Sequence, residues 1–439
     1  MKRNRCRKRI PVRMIALSCG AAVLVVIWAI YGDTSLLDVL KNRKRIEKAL
    51  QASLPAVKSE KKGRSHCSKI SPETEEKRSS PLMQLPGFTS KKLLYIASAS
   101  VVIEDSSVVL ISVDERDRRF QLSEKEIEDM RKARQGGYLK SIQCHFRDGH
   151  LSDLNIIEDP HRQIRILLCP MSDLMLDCLK NADESICFEF ELRSKSVSPD
   201  RPLAAFSLCS EPVKQKYLLT MCSQPITPHI WTYIPQWIDY HHRLGIEHFY
   251  LYAANSTKEK LTQFLKSYID KDIVCVQSWM SQQWIGDEVH VRQISSQNDC
   301  IYRHKDASTW IGFFDVDEYL YSEKEVGLHD LLKSYNDRVT SGLQFKSVFF
   351  QREEKPGSLI IENYQRSKYV LQDTRQKYFC RPKYTKITSV HLTTLGEEMI
   401  PIDESILRIN HYRAGFSVSQ KDRVEDMGMR KYVTEKTKS

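Results

Sequence analysis

The twelve cysteines form no Cys-x-x-Cys pair and no Cys/His spacing of a zinc site, which argues against a metal centre built on thiolates. The sequence also lacks a nucleic-acid-binding signature, although its formal net charge is +11. Seven of its 67 basic residues (Lys2, Arg3, Arg5, Arg7, Lys8, Arg9 and Arg13) precede residue 14, with no acid among them. The other 60 face 56 acidic residues. The bulk of the chain is therefore nearly neutral, and no nucleic-acid partner is expected. Charge itself is missing over residues 14–31, MIALSCGAAVLVVIWAIY. As a helix that run spans about 27 Å, enough for a thin bilayer core. The basic residues before it and Asp33 after it orient the N-terminus to the cytosol. A cleaved signal peptide is the alternative, but the run is long for one and Tyr31-Gly32-Asp33 is a poor cleavage site.

The expected layout is a cytoplasmic tail (1–13), a transmembrane anchor (14–31) and a luminal remainder. Several of the ten luminal cysteines should pair in an oxidising compartment. Residues 32–90 are poor in aromatics and rich in charge, Ser and Pro. They cannot bury enough apolar surface to pack and read as a stem. Residues 91–212 carry short Val/Ile runs (LLYIASASVVI, SVVLISV, IRILLC, ICFEFEL) and one charged stretch near 123–134. They read as strands with one helix, a β-rich accessory region without a catalytic constellation.

The pattern changes over residues 213–439. YLLTMC (217–222), HFYLY (248–252), IVCVQSW (273–279) and WIGFF (310–314) read as buried strands. Helical periodicity lies between them: Ile230, Tyr233, Ile234, Trp237, Ile238, His241 and Leu244 share a face, and Gly245 follows as a C-terminal glycine. Helices are also expected over 257–269 and 288–304. Strands alternating with helices predict an α/β fold with a parallel, doubly wound sheet, whose ligands bind beyond the carboxyl ends of the strands.

At the end of the fourth strand stand Asp315, Asp317 and Glu318, in WIGFFDVDEYLY. If the strand continued, the i, i+2 spacing would place both aspartates on one side and Glu318 opposite Asp317. Paired carboxylates resist joint ionisation unless a cation offsets their repulsion. Hard oxygen ligands suit Mg²⁺ or Mn²⁺ shared with a diphosphate. A second D-x-D, Asp270 and Asp272, falls between a helix and a strand and reads as a solvated turn. Two other readings compete. One is a phosphatase of the haloacid dehalogenase type with Asp315 as nucleophile, against which stand Tyr319 and the three strand–helix units that precede the motif. The other is a non-catalytic, membrane-anchored glycan-binding module, which leaves the carboxylates unexplained.

Six blocks in order, WIDYHHRLGIEHFYLY (237–252), Asn255-Ser256, QNDCIYRH (297–304), WIGFFDVDEYL (310–320), KYFCRPKYTKITSVH (377–391) and INHYRAG (409–415), resemble glycosyltransferase family 92. The resemblance covers nearly half of the chain. It implies a GT-A type, Rossmann-like nucleotide-sugar domain, a UDP-galactose donor and Mn²⁺ or another divalent metal. It implies Asp317 and Asp315 as metal ligands, Asp315 also near the ribose and diphosphate, and His411 completing the metal shell. Lys377 and Arg381 match basic positions suited to phosphate, and Tyr252 and Asn255 a uracil or ribose contact region. Asn255-Ser256-Thr257 is also a glycosylation sequon. Two departures stand out: Gln236 where the family often has Glu, and FKSVFFQREEKPGS where it tends to carry a Gly-rich, acceptor-side stretch. The expected reaction is galactose transfer to a glycan or glycoprotein hydroxyl, inverting to a β-linkage. Glu318, Glu353 and Glu354 are candidates for the general base. Residence in the Golgi membrane, single-pass type II with the catalytic domain luminal, follows from the anchor layout and the family.

Overall fold

The computed structural model describes residues 93–114, 139–159, 164–195, 202–212, 216–279, 289–353, 358–371 and 375–436, with two-residue strand pieces at 15–16, 25–26 and 83–84. The anchor, the stem and the helix near 123–134 lie outside the described residues. The exceptions are those pieces, of which Ile15–Ala16 and Val25–Val26 pair antiparallel. Among the described residues no helix is long and apolar enough to cross a membrane.

The first half is β-rich, as its Val/Ile runs predict, and its strands form the two sheets of a sandwich. Strands β1 (Leu93–Val102), β2 (Ser107–Asp114), β3 (Ile142–Phe146), β4 (Leu151–Asp153), β5 (Asn155–Glu158) and β6 (Ile164–Pro170) come first. A helix not expected from the sequence, α1 (Asp173–Lys180), follows; the Ser172 hydroxyl caps it by accepting the Met175 N–H at 3.2 Å. Strands β7 (Ile186–Ser194) and β8 (Ala204–Ser210) complete the unit. One antiparallel sheet runs β1-β2-β6-β5 with the 83–84 piece at its edge, the other β8-β7-β3-β4. Disulfide Cys144–Cys169 joins the two sheets, and Cys187–Cys209 links facing residues of β7 and β8.

Strand β2 carries the unbroken apolar run Val108–Ile111 because both its faces are covered. Val108 and Leu110 point into the sandwich with Ile142, Phe190 and Leu192. Val109, Ile111 and Val113 point the other way, into a core shared with the second half of the chain.

That second half opens with β9 (Tyr217–Cys222), α2 (Ile234–Arg243), β10 (His248–Ala254), α3 (Asn255–Phe264), α4 (Lys266–Ile269), β11 (Val274–Trp279), α5 (Val289–His304) and β12 (Ser308–Phe313). The helix expected over 257–269 is broken at Leu265 into α3 and α4. Gly245 ends α2 region as expected, at φ +103, a conformation that favours glycine. The strands run parallel in the order β11-β10-β9-β12, the doubly wound arrangement, in which the strand order reverses between β9 and β12.

The chain continues with β13 (Glu318–Tyr321), α6 (Leu328–Lys333), β14 (Gly342–Phe345), β15 (Ser347–Gln351), β16 (Gln365–Leu371) and β17 (Lys377–Cys380). Then come β18 (Thr385–Thr388), β19 (Thr393–Gly396), β20 (Met399–Pro401), β21 (Arg408–Arg413), β22 (Arg423–Glu425) and α7 (Arg430–Lys436). Strands β17, β14 and β20 extend the parallel sheet beyond β12, and β17 pairs antiparallel with β12. A second sheet, β13-β21-β15-β16-β22, stands beside the site.

Helix α5 is the hinge of the architecture. Ten of its sixteen residues are polar, yet Gln293, Ser295, Ser296, Gln297, Asn298 and Asp299 are all buried. The helix lies between the parallel sheet and β1, β2 and β6 of the sandwich. Several of these polar groups are partnered within the protein rather than solvated. Asn298 donates to the Ile294 and Thr388 carbonyls and accepts the Thr388 N–H, while Asp299 accepts from Tyr252 and bidentately from Arg303. Disulfide Cys222–Cys300 clamps α5 to β9. Just beyond the helix, Asp306 accepts the Ile103 and Glu104 N–H groups at 2.8 and 3.0 Å, and Lys305 pairs with Asp105.

Helix α2 fixes β13 from the other side. The Trp237 indole N–H donates to the Glu318 carbonyl, and the Tyr240 hydroxyl to the Leu320 carbonyl. Fully buried His241 bridges the two elements: Nδ1 meets the Trp237 carbonyl at 2.9 Å and Nε2 accepts the Leu320 N–H at 3.2 Å. With Nε2 accepting, the imidazole is neutral, and burial lowers its pKa to about 3. The unfolded chain, with its histidine near 6.5, takes up a proton first as the pH falls. The stability His241 contributes is complete above pH 6.5 and is lost on acidification, by about 2 kcal/mol at pH 5. Urea midpoints measured from pH 7.5 to 5 should fall for the wild type and fall less for His241→Gln. Identical slopes would show that His241 carries no such linkage.

Candidate active site

The parallel strand does not continue through Asp315 and Asp317. Strand β12 stops at Phe313, and Asp315–Glu318 folds into a tight turn closed by the Glu318 N–H to the Asp315 carbonyl at 3.0 Å. The Glu318 carboxylate returns the contact, accepting the Asp315 N–H at 2.8 Å. This corrects the expectation that Glu318 faces away from Asp317. The turn reverses the chain, β13 leaves antiparallel to β21, and register places Glu318 opposite His411. The Tyr412 N–H donates to the Asp317 carbonyl at 2.8 Å and pins the turn to β21.

Five expected site residues thus converge: Asp315, Asp317, Glu318, Lys377 and His411. The Lys377 ammonium, 1% exposed, lies 3.1 Å from both Asp315 Oδ2 and Glu318 Oε2. Gln293, which the sequence reading missed because no motif marks it, donates from α5 to Asp315 Oδ1 at 3.2 Å. His411 Nε2 lies 3.7 Å from Asp317 Oδ2. Its Nδ1 is 3.3 Å from Glu318 Oε1, within ion-pair reach but without hydrogen-bond geometry.

The electrostatics divide the carboxylates. Burial pushes Glu318 up to about 7 against the pull of Lys377. Burial also opposes the charge on Asp317, but His411 and Lys377 outweigh it and hold that carboxyl below its ordinary value. Desolvation opposes the Lys377 ammonium too, and Asp315 and Glu318 overcome it and raise its pKa. His411 is likewise raised against burial, chiefly by Asp317 and then Glu318. Asp317 is the ionised group at the mouth of the cluster, with 28% of its side chain exposed, whereas Glu318 is sealed beneath.

Three carboxylates face one ammonium and one imidazole, a donor set that favours a further cation. Among the described residues no three His, Cys, Asp or Glu side chains are arranged to hold a metal ion by themselves. Asp317 and His411 fit as two donors of an ion whose remaining ligands come from phosphate and water. Asp315, expected as the other carboxylate ligand, has Oδ2 on Lys377 and Oδ1 on Gln293.

The remaining expected residues lie apart from this cluster. Arg381 donates to the Tyr335, Asn336 and Arg338 carbonyls and stacks over Trp310 and Tyr384. Lys377 and Arg381, paired in the sequence reading as phosphate ligands, are thus occupied separately. The Tyr252 hydroxyl is buried on Asp299. Asn255 is exposed at the carboxyl end of β10, where its Oδ1 accepts the Ser278 hydroxyl at 2.5 Å. Gln236 accepts the Ile360 N–H through its amide oxygen, a role that requires no carboxylate. Glu353 is exposed beyond β15, and Glu354 lies outside the described residues. Asp270 and Asp272 are exposed in the turn before β11, as expected.

A sequence profile described as Glycosyltransferase family 92 matches residues 217–438. Galactan beta-1,4-galactosyltransferase GALS2 of Arabidopsis thaliana is 26% identical over 196 residues, covering 42% of this chain and 37% of that protein. A glycosyltransferase family 92 protein of Oryza sativa subsp. japonica is 26% identical over 192 residues, covering 41% and 31%. The chain matches about a third of the length of these relatives. Among solved structures, HddC from Yersinia pseudotuberculosis aligns with a TM-score of 0.28 and 11% identity over 44% of this chain and 93% of that one, a score too low to bear on the fold. The profile match spans half of the chain, which belongs to glycosyltransferase family 92.

Proposed function

We propose that the chain transfers galactose from UDP-galactose to a hydroxyl of a glycan or glycoprotein, inverting to a β-linkage. The observation that carries this reading is the Asp315–Glu318 turn at the carboxyl end of β12, beside the change of strand order where nucleotides bind in such sheets. Family membership and the galactosyltransferase name of a relative support the donor. In the reaction the acceptor oxygen forms a bond to C1 of galactose as the bond from C1 to the diphosphate oxygen breaks. UDP leaves with the electron pair, and the hydroxyl proton passes to a base.

Asp317 and His411 would hold a divalent cation such as Mn²⁺, which supplies charge for the departing diphosphate when bound. Lys377 and Gln293 hold Asp315 in place. Glu318, sealed from solvent and bonded to the Asp315 N–H, is assigned a positioning role rather than that of the base. Disulfides Cys144–Cys169, Cys187–Cys209 and Cys222–Cys300 favour an oxidising compartment and thus a luminal, Golgi-membrane setting.

The test is a panel of UDP-sugars with galactose-terminated acceptors, with Mn²⁺ or with EDTA. Transfer is expected from UDP-galactose and is expected to disappear with EDTA. Transfer from another donor alone would overturn the donor assignment, and transfer undiminished by EDTA would overturn the cation.

A further inference from the structure

Register places Phe349 of β15 beside His411 of β21, on the sheet face that also carries Glu318. The Phe349 ring stands edge-on to the His411 imidazole, with centroids 4.9 Å apart. Phe416 stands edge-on to Phe349 in turn, at 5.0 Å. Phe416 reaches that position through a turn after β21, in which its N–H meets the Arg413 carbonyl at 3.3 Å and Gly415 adopts φ +71. The Arg413 guanidinium lies 5.6 Å from the Phe349 centroid, and Arg413 is exposed. Phe349 is nearly sealed, whereas Phe416 remains partly open to solvent.

A chain of contacts therefore runs from Asp317 through His411 and Phe349 to a half-open aromatic ring. Burying Phe416 in the sheet would have been the cheaper use of its surface. A pyranose ring has an apolar face of C–H groups and a rim of hydroxyls. An aromatic wall covers the first, and a guanidinium with its fixed fork of donors meets the second. We propose that Phe416, backed by Phe349 and flanked by Arg413, is the wall against which the terminal sugar of the acceptor glycan stacks. This inference rests on the transfer reading above and adds to it the residues that hold the acceptor. It also gives the FKSVFFQREEKPGS departure a physical role, since Phe349 lies within that stretch.

Phe416→Ala should raise the acceptor KM at least tenfold and leave the KM for UDP-galactose unchanged. Phe416→Trp should restore acceptor KM, which a merely structural side chain would not require. An unchanged acceptor KM in Phe416→Ala, or an equal rise in both KM values, overturns the wall. Saturation-transfer NMR with a galactose-terminated N-glycan and no donor separates this outcome from failure of the transfer reading. Wild-type binding that is lost in Phe416→Ala supports the wall even if no transfer is seen. Absence of wild-type binding, or equal binding by both proteins, overturns it.

Discussion

Asp317→Asn is expected to lower transfer by about a thousandfold or more, which is about 4 kcal/mol of transition-state stabilisation. The change is nearly isosteric and leaves the Tyr412 N–H to Asp317 carbonyl bond in place, so the turn should survive. It removes the carboxylate that faces His411 at the mouth of the cluster and that His411 and Lys377 hold below its ordinary pKa. Asp315→Asn is a less clean experiment, because it also deprives the buried Lys377 of one of its two anionic partners. That variant should lose stability together with activity. Two measurements check the first expectation: turnover with UDP-galactose, and calorimetry of UDP binding with and without Mn²⁺. Asp317→Asn should lose the metal-dependent part of UDP binding while its melting temperature stays close to wild type. Wild-type turnover would remove Asp317 from the cation.

Much of this arrangement is legible in the sequence because it is local. Apolar runs ending in polar turns mark β9–β12, and the 3.6-residue spacing of Ile234, Trp237, Ile238 and His241 marks α2. The position of Asp315 at a strand's carboxyl end follows from that order alone. The fate of the side chains was harder to read, because it depends on what the chain brings back from far away. Glu318 lies on the side opposite to the one strand alternation predicts, because a turn that no Gly or Pro announces intervenes. Lys377 lies 62 residues from Asp315, and its charge alone does not distinguish phosphate from buried carboxylates as its partner. Gln293 is one polar residue in a helix full of them. Helix α1 did carry a signal, since Ser172 and Asp173 form an ordinary helix start. Helix α5 is expected from the sequence, but nothing in its polar composition shows that the sandwich covers it.

That cover leads to the second large effect. Residues 213–439, which contain the whole profile match, are expected not to fold on their own, whereas 93–439 should fold and retain activity. Cutting at residue 213 removes Val102, Val109, Ile111, Val113, Ile164 and Ile166 from the core they share with Val291, Ile294, Ile301 and Tyr302. Six buried aliphatic side chains amount to on the order of 10 kcal/mol of burial, comparable to the entire stability of a domain. The cut also strips the Ile103 and Glu104 N–H donors from Asp306 and the carboxylate of Asp105 from buried Lys305. Buried charges left without partners add to the loss. Because Gln293 lies on the same helix, loosening α5 should reach Asp315 and the turn before the parallel sheet itself comes apart. Expression of both fragments, followed by size-exclusion chromatography and thermal melting, checks this. A soluble, cooperatively melting and active 213–439 would show that the sandwich is an appendage. Aggregation of that fragment beside an active 93–439 would show that the folding unit is larger than the region the family shares.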